Sequence, residues 1–151
     1  MRRVALLLVG VIGLIAIGYL VFSLSTNGKT GDFSETIEQN IVKLKDTNRT
    51  VQFADLTPFV WDRAYILEDP FLNGEAIDKI VGVKCNLDRL ETDMKRRIIF
   101  VNEGKFVFDY IFDISRFWFT SEDSGTIELT GSSSVFVEKE TAKRIVLKIA
   151  Q

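Results

Sequence analysis

Asp62 is the residue whose neighbours come nearest to making a chemical site. Read as an extended run, Phe59, Val60, Trp61, Asp62, Arg63, Ala64, Tyr65, Ile66 and Leu67 place Asp62 on one face with Val60, Ala64 and Ile66, and Arg63 on the other with Trp61 and Tyr65. A carboxylate in apolar company is partly desolvated, which raises its pKa unless a donor or cation meets it. Two roles are open to it. It could share acid and base work with Glu68 or Asp69, or it could be tied to loop amides or to an arginine such as Arg96 or Arg97. The first role needs two carboxyl groups facing one cleft at about 5 to 9 Å, and strand alternation works against that for neighbours, so the structural tie is the expected one. Arg63, among rings, is placed to stack on one of them, a packing role more often than a recognition role.

Other acidic pairs do no better. Asp109 and Asp113 fall on one face of an extended segment, about 13 Å apart by strand rise, too far to share a metal ion or divide a reaction. They read as solvated. Histidine is absent and Cys85 is the only cysteine. A Ser-His or Cys-His nucleophile therefore cannot be assembled, and zinc, copper and haem sites of ordinary kinds lack ligands. No cofactor, metal site or catalytic residue is assigned. The lone thiol is either buried and inert or paired between chains, and burial is the expected state.

The best hint of function is aromatic. Phe117, Trp118 and Phe119 are consecutive, and an extended segment cannot point all three inward. One ring should reach the outside, and an exposed large aromatic is a usual anchor of protein contacts. Trp61, Asp62, Arg63 and Trp118 are thus the candidate contact or buried polar residues.

The elements that hold these residues begin with a hydrophobic run. Residues 4–24 carry no charge and follow Arg2 and Arg3. Roughly twenty apolar residues make a helix of about 30 Å, the thickness of a bilayer's hydrocarbon core. The expectation is a transmembrane anchor with the remainder outside the cytoplasm, since flanking cations stay on the cytoplasmic side. A cleaved secretory signal is the alternative, and the run is longer than the roughly 7 to 15 apolar residues such a signal usually has. Residues 25–31 read as a linker and 32–151 as one domain. Taking Arg2 and Arg3 from the 19 basic residues leaves 17 against 21 acidic, a formal charge of −4 for the part beyond the span. That argues against nucleic acid as a partner, which calls for a concentrated basic face.

Asp32 and Glu35 resemble a capping pair ahead of Ile37, Ile41 and Leu44 at helical spacing, so a short amphipathic helix is expected there. Asn73 and Gly82 are placed to start and stop a second helix around Ile77, Ile80 and Val81,. Residues 83–95 are the least readable: Leu87 and Leu90 with Met94 fit either a helical turn or a curled edge of the sheet,. Ile98 to Val101 and Phe106 to Ile114 read as a hairpin across a turn at Asn102 to Lys105, with Phe106, Phe108, Tyr110, Phe112 and Ile114 on the core face. Ile127 to Leu129 is a short strand, and Val135 to Glu138 with Arg144 to Ile149 form a closing hairpin. The fold class expected is α+β: a single antiparallel sheet with two short helices packed on one face, preceded by one N-terminal transmembrane helix.

The segments Phe59 to Leu67, Asp69-Pro70-Phe71, and Ile99-Phe100-Val101-Asn102-Glu103-Gly104-Lys105 resemble a family of small bacterial envelope proteins. In that family an anchor or lipobox precedes a domain with a phenylalanine-x-tryptophan-aspartate strand and a later strand ending in a glycine-lysine hairpin. This chain lacks the lipid-accepting cysteine, and it has Phe71 where the family places a tyrosine nearby. The resemblance implies an envelope setting and no activity. The functional expectation is a membrane-anchored, non-enzymatic extracytoplasmic domain that acts through a protein contact. An envelope immunity or inhibitor protein is one alternative, and a carboxylate-based hydrolase using Asp62 with Glu68 or Asp69 is the other.

Overall fold

Eight strands in two sheets, not one, form the body of the protein in the computed structural model, which describes residues 32–45, 47, 49–122, 125–141 and 143–150. The chain runs α1 (Asp32–Lys43), β1 (Val51–Gln52), a 3-10 turn (Phe53–Leu56), β2 (Arg63–Leu67), α2 (Gly74–Val81), β3 (Lys95–Asn102), β4 (Lys105–Asp113), β5 (Phe117–Thr120), β6 (Ile127–Thr130), β7 (Ser134–Glu140) and β8 (Ile145–Ala150). The first sheet has the order β1-β7-β8-β5 and the second β4-β3-β2-β6. All pairings are antiparallel except β5 with β8, which is parallel. The expected span at residues 4–24 lies outside the described residues. Among those that are described, no helix is long and apolar enough to cross a membrane.

The α+β expectation, one sheet with both helices on one face, is therefore corrected to a mostly β architecture. Alternation shows which face of a strand is buried, but it does not show which sheet the strand joins. Phe117 and Phe119, Val135, and Ile145, Leu147 and Ile149 from the first sheet share one core with Ala64, Ile66, Ile98, Phe100, Phe108, Tyr110, Phe112, Ile127 and Leu129 from the second. The two inner faces meet, as in a sandwich. The chain changes sheet four times along these strands, and one of those changes occurs in the short turn after β4. There the Asp113 carboxylate accepts from Ser115 N–H at 2.8 Å, the Asp113 carbonyl accepts from Arg116 N–H at 3.0 Å, and Ile145 N–H donates to the Arg116 carbonyl at 2.9 Å. The chain leaves β4 and pairs at once with β8.

The two helices serve different layers. Ile37, Ile41 and Leu44 of α1 enter the core between the sheets, as their spacing implies. Ile77 and Val81 of α2 cover the other face of the second sheet, over Tyr65, Leu67, Ile99 and Val101. The signals that bound α2 act as read from the sequence: the Asn73 side chain accepts from Ala76 N–H at 2.9 Å, and Gly82 takes a left-handed φ of 78°,. Strand β2 is buried on both faces because it lies between β3 and β6, with the other sheet on one side and α2 on the other.

Two segments depart from their sequence reading. The extended run expected from Phe59 begins only at Arg63; before it, the 3-10 turn drives Phe53 between the sheets, where its ring meets Phe100, Phe119 and Trp61 at centroid distances of 6.4, 6.0 and 6.1 Å. Residues 83–94 are an irregular cover pinned at several points. Asp78 accepts from Cys85 N–H at 2.7 Å, the Pro70 carbonyl accepts from Leu90 N–H at 2.8 Å, and Arg97 donates to the Asp88 carbonyl at 2.8 Å.

Candidate contact surface

The four candidate residues divide into three roles. Trp61 is core: it is 7% exposed, its ring packs on Phe53 and Phe100, and its Nε1–H donates to Thr57 Oγ1 at 2.9 Å. That hydrogen bond satisfies the one polar atom of the indole.

Asp62 is a structural tie. It precedes β2, so the alternation that would have set it among Val60, Ala64 and Ile66 does not reach it, and both Val60 and Asp62 are exposed. Its Oδ2 accepts from Glu103 N–H at 2.7 Å. Glu103 and Gly104 form the β3–β4 turn with φ of 51° and 70°, the two left-handed positions of a type I′ hairpin. Glutamate is unfavourable there, and Asp62 helps to hold it. Asp62 and Asp69 lie beyond opposite ends of β2, about 20 Å apart by strand rise. Asp69 itself accepts from Phe71 N–H at 2.8 Å.

Arg63 does not stack. Its Nη1 donates to Tyr65 Oη at 3.2 Å, and Tyr65 Oη donates to Glu128 Oε1 at 3.5 Å across the β2–β6 pair. Burial, and then the Glu128 carboxylate, raise the Tyr65 pKa above the usual phenol value.

One polar group sits where the sequence placed solvent. Asp109 faces α2 and its following loop, and its side chain is 13% exposed; the buried Arg97 stands 3.7 Å away. Burial pushes Asp109 up to about 6, against the lowering effect of Arg97. Neither Arg97 Nη1 nor Asp109 Oδ1 has a hydrogen-bond partner in the structure. Cys85, buried as expected, has its thiol pushed up to about 11, first by burial and then by the charges of Asp78 and Asp109. It is held in the protonated, unreactive form at neutral pH.

Trp118 is the candidate that reaches outward. In β5, Phe117 and Phe119 are buried while Trp118 and Thr120 are half-buried on the opposite face. Parallel pairing sets Trp118 beside Val146 of β8, and antiparallel pairing sets Phe136 of β7 beside Lys148. Trp118, Val146 and Phe136 belong to neither buried cluster. They make a patch on the outer face of the first sheet that is interleaved with Lys148 beside Phe136 and Lys139 beside Val146, with Trp118 and Phe136 roughly 12 Å apart on strand spacing and rise. Polar side chains lie among and around them: Lys148, between Thr120 and Phe136, meets Glu122 at 3.9 Å, and Thr120 donates to Glu138 at 3.4 Å. Aromatic side chains set among polar ones are common in recognition patches.

Trp118 was legible from the alternation of three consecutive aromatics. Phe136 and Val146 were not, because their nearness to Trp118 depends on the β5–β8–β7 order. A concavity of about 860 Å³ is an open groove at the start of α2 beside Phe71, Gly74 and Leu90, with Asp88, Arg89 and Glu91 on its wall. Charges of both signs surround it. No known protein family, curated protein or solved structure matches the chain.

Proposed function

We propose that the protein is a membrane-tethered, non-enzymatic contact module of the bacterial envelope, its folded domain lying outside the cytoplasm and binding a protein partner through the outer face of the first sheet. The observation that carries this reading is the patch of Trp118, Phe136 and Val146, half-buried side chains outside both hydrophobic cores. Large rings set on a strand lose little conformational freedom when covered, which is why tryptophan and phenylalanine anchor contacts efficiently. The tether is supported by the uncharged run at residues 4–24 behind Arg2 and Arg3,.

Two measurements test it. Added protease should degrade the C-terminal domain in spheroplasts with an intact inner membrane; a domain released to the protease only on lysis defeats the topology. Full-length protein purified from its own membranes in mild detergent should carry a partner that Trp118→Ser with Phe136→Ser releases. Retention of the partner by that double variant defeats the assigned face.

A further inference from the structure

A second feature lies at the end where β5 and β8 both begin. A groove of about 200 Å³ there is lined by Lys45, Arg116, Lys143 and Arg144 over the apolar side chains of Phe117 and Ile145. No carboxylate lines it among the described residues, although acidic residues outnumber basic ones in the chain as a whole. Two of the four cations already hold a carboxylate at the rim: Lys45 meets Glu140 at 2.9 Å and Arg116 meets Glu38 at 2.7 Å. The other two, Lys143 and Arg144, have no carboxylate partner among the described residues; Arg144 Nη1 reaches only the Ile114 carbonyl, at 3.4 Å.

The groove is built by defined contacts. Thr141 closes the β7–β8 turn, its N–H donating to the Arg144 carbonyl at 2.9 Å and its Oγ1 accepting from Arg144 N–H at 3.0 Å. Arg116 lies over the Phe117 ring with its guanidinium carbon 5.1 Å from the centroid. That stacking fixes the planar fork in which arginine pairs with carboxylates.

We propose that this groove receives an acidic side chain, aspartate or glutamate, from a polypeptide partner of the domain. The inference rests on the contact reading and supplies the partner's chemistry: a segment pairing a carboxylate with an apolar residue. Charge complementarity argues for it, since an incoming carboxylate meets Lys143 and Arg144 while its aliphatic stem lies against Val42, the exposed apolar residue of the lining,. Polypeptide is favoured over a phosphate polymer because Glu38 and Glu140 flank the groove and repel a continuous run of anionic charge,.

The test uses the full chain in non-ionic detergent and a short synthetic peptide carrying one glutamate beside one leucine. Binding should shift the backbone amide resonances of Arg116, Phe117, Lys143 and Arg144. Replacing glutamate by glutamine in the peptide, or Lys143→Ala with Arg144→Ala in the protein, should weaken it on the order of tenfold. Lys143→Glu alone, on an exposed turn, checks the same point with a smaller change to the protein. Three results overturn the proposal: equal binding of the glutamine peptide, binding unaffected by both variants, or inorganic phosphate or phosphatidylglycerol vesicles competing as strongly as the peptide at matched ionic strength. Trp118→Ser separates the two readings: a groove that still binds the peptide while the native partner stays bound to that variant leaves this proposal standing and defeats the patch.

Discussion

The Asp62 carboxylate accepts the amide hydrogen of Glu103 at 2.7 Å, joining the entry of β2 to a turn 41 residues later in the chain. The same turn forces Glu103 to a φ of 51°. Asp62→Ala should therefore lower stability by about 1–2 kcal/mol, the range for losing a charge-assisted hydrogen bond at a partly exposed site. Glu103→Gly should stabilise by about 0.5–1 kcal/mol through relief of the left-handed conformation. Urea unfolding of both variants checks the pair; an Asp62→Ala protein as stable as wild type shows the tie to be incidental.

Asp109 predicts a pH dependence of a definite sign. Its folded pKa, pushed up to about 6, lies above the ordinary value of 3.8. The folded state thus binds the proton more tightly than the unfolded chain does. The stability this contributes is fully present below the ordinary value and is lost as pH rises through about 6,. Stability of wild type relative to Asp109→Asn should fall between those two pH values and be flat on either side. Comparing the two at fixed pH cancels every other titrating group, and a difference that rises with pH contradicts the account.

Gly74 opens α2 because the backbone of the covering loop lies against it: a β-carbon there would come within 2.5 Å of the Leu87 carbonyl oxygen. Alanine is the better helix former by about 1 kcal/mol, yet Gly74→Ala should destabilise by about 1–3 kcal/mol, because the clash is with backbone. Gly82→Ala should cost about 1 kcal/mol for another reason, its φ of 78°,. A thermal melt of Gly74→Ala above wild type would show that residues 83–94 yield freely.

The two tryptophans should separate cleanly. Trp61→Ala removes a ring that is 7% exposed and should cost about 3–5 kcal/mol. Trp118→Ala removes a half-buried ring outside both cores and should cost about 1 kcal/mol or less. Melting temperatures that fall equally would mean that Trp118 is core.

What the sequence made legible was local. Ile37, Ile41 and Leu44 marked the buried stripe of α1, Asn73 and Gly82 bounded α2, and the Asn102 to Lys105 turn paired β3 with β4. The partition into two sheets was not legible, since Phe117 and Phe119 alternate in the same way whichever sheet they join. Asp109 was misplaced for a related reason: its strand face was taken as wet, and the cover of α2 with residues 83–94 comes from a segment that fits two readings. The groove of Lys45, Arg116, Lys143 and Arg144 assembles from three separate stretches of chain, and no spacing announces it.

The account depends most on the Trp118, Phe136 and Val146 face being covered by another polypeptide. A photo-crosslinking residue placed at Trp118 or at Phe136, in the full-length protein within the cells that make it, should yield one discrete adduct shared by both positions. The same residue at Val60 or Phe71, exposed elsewhere on the domain, should not yield that adduct. No adduct at Trp118 and Phe136, or the same adduct from all four positions, would contradict the assignment of this face.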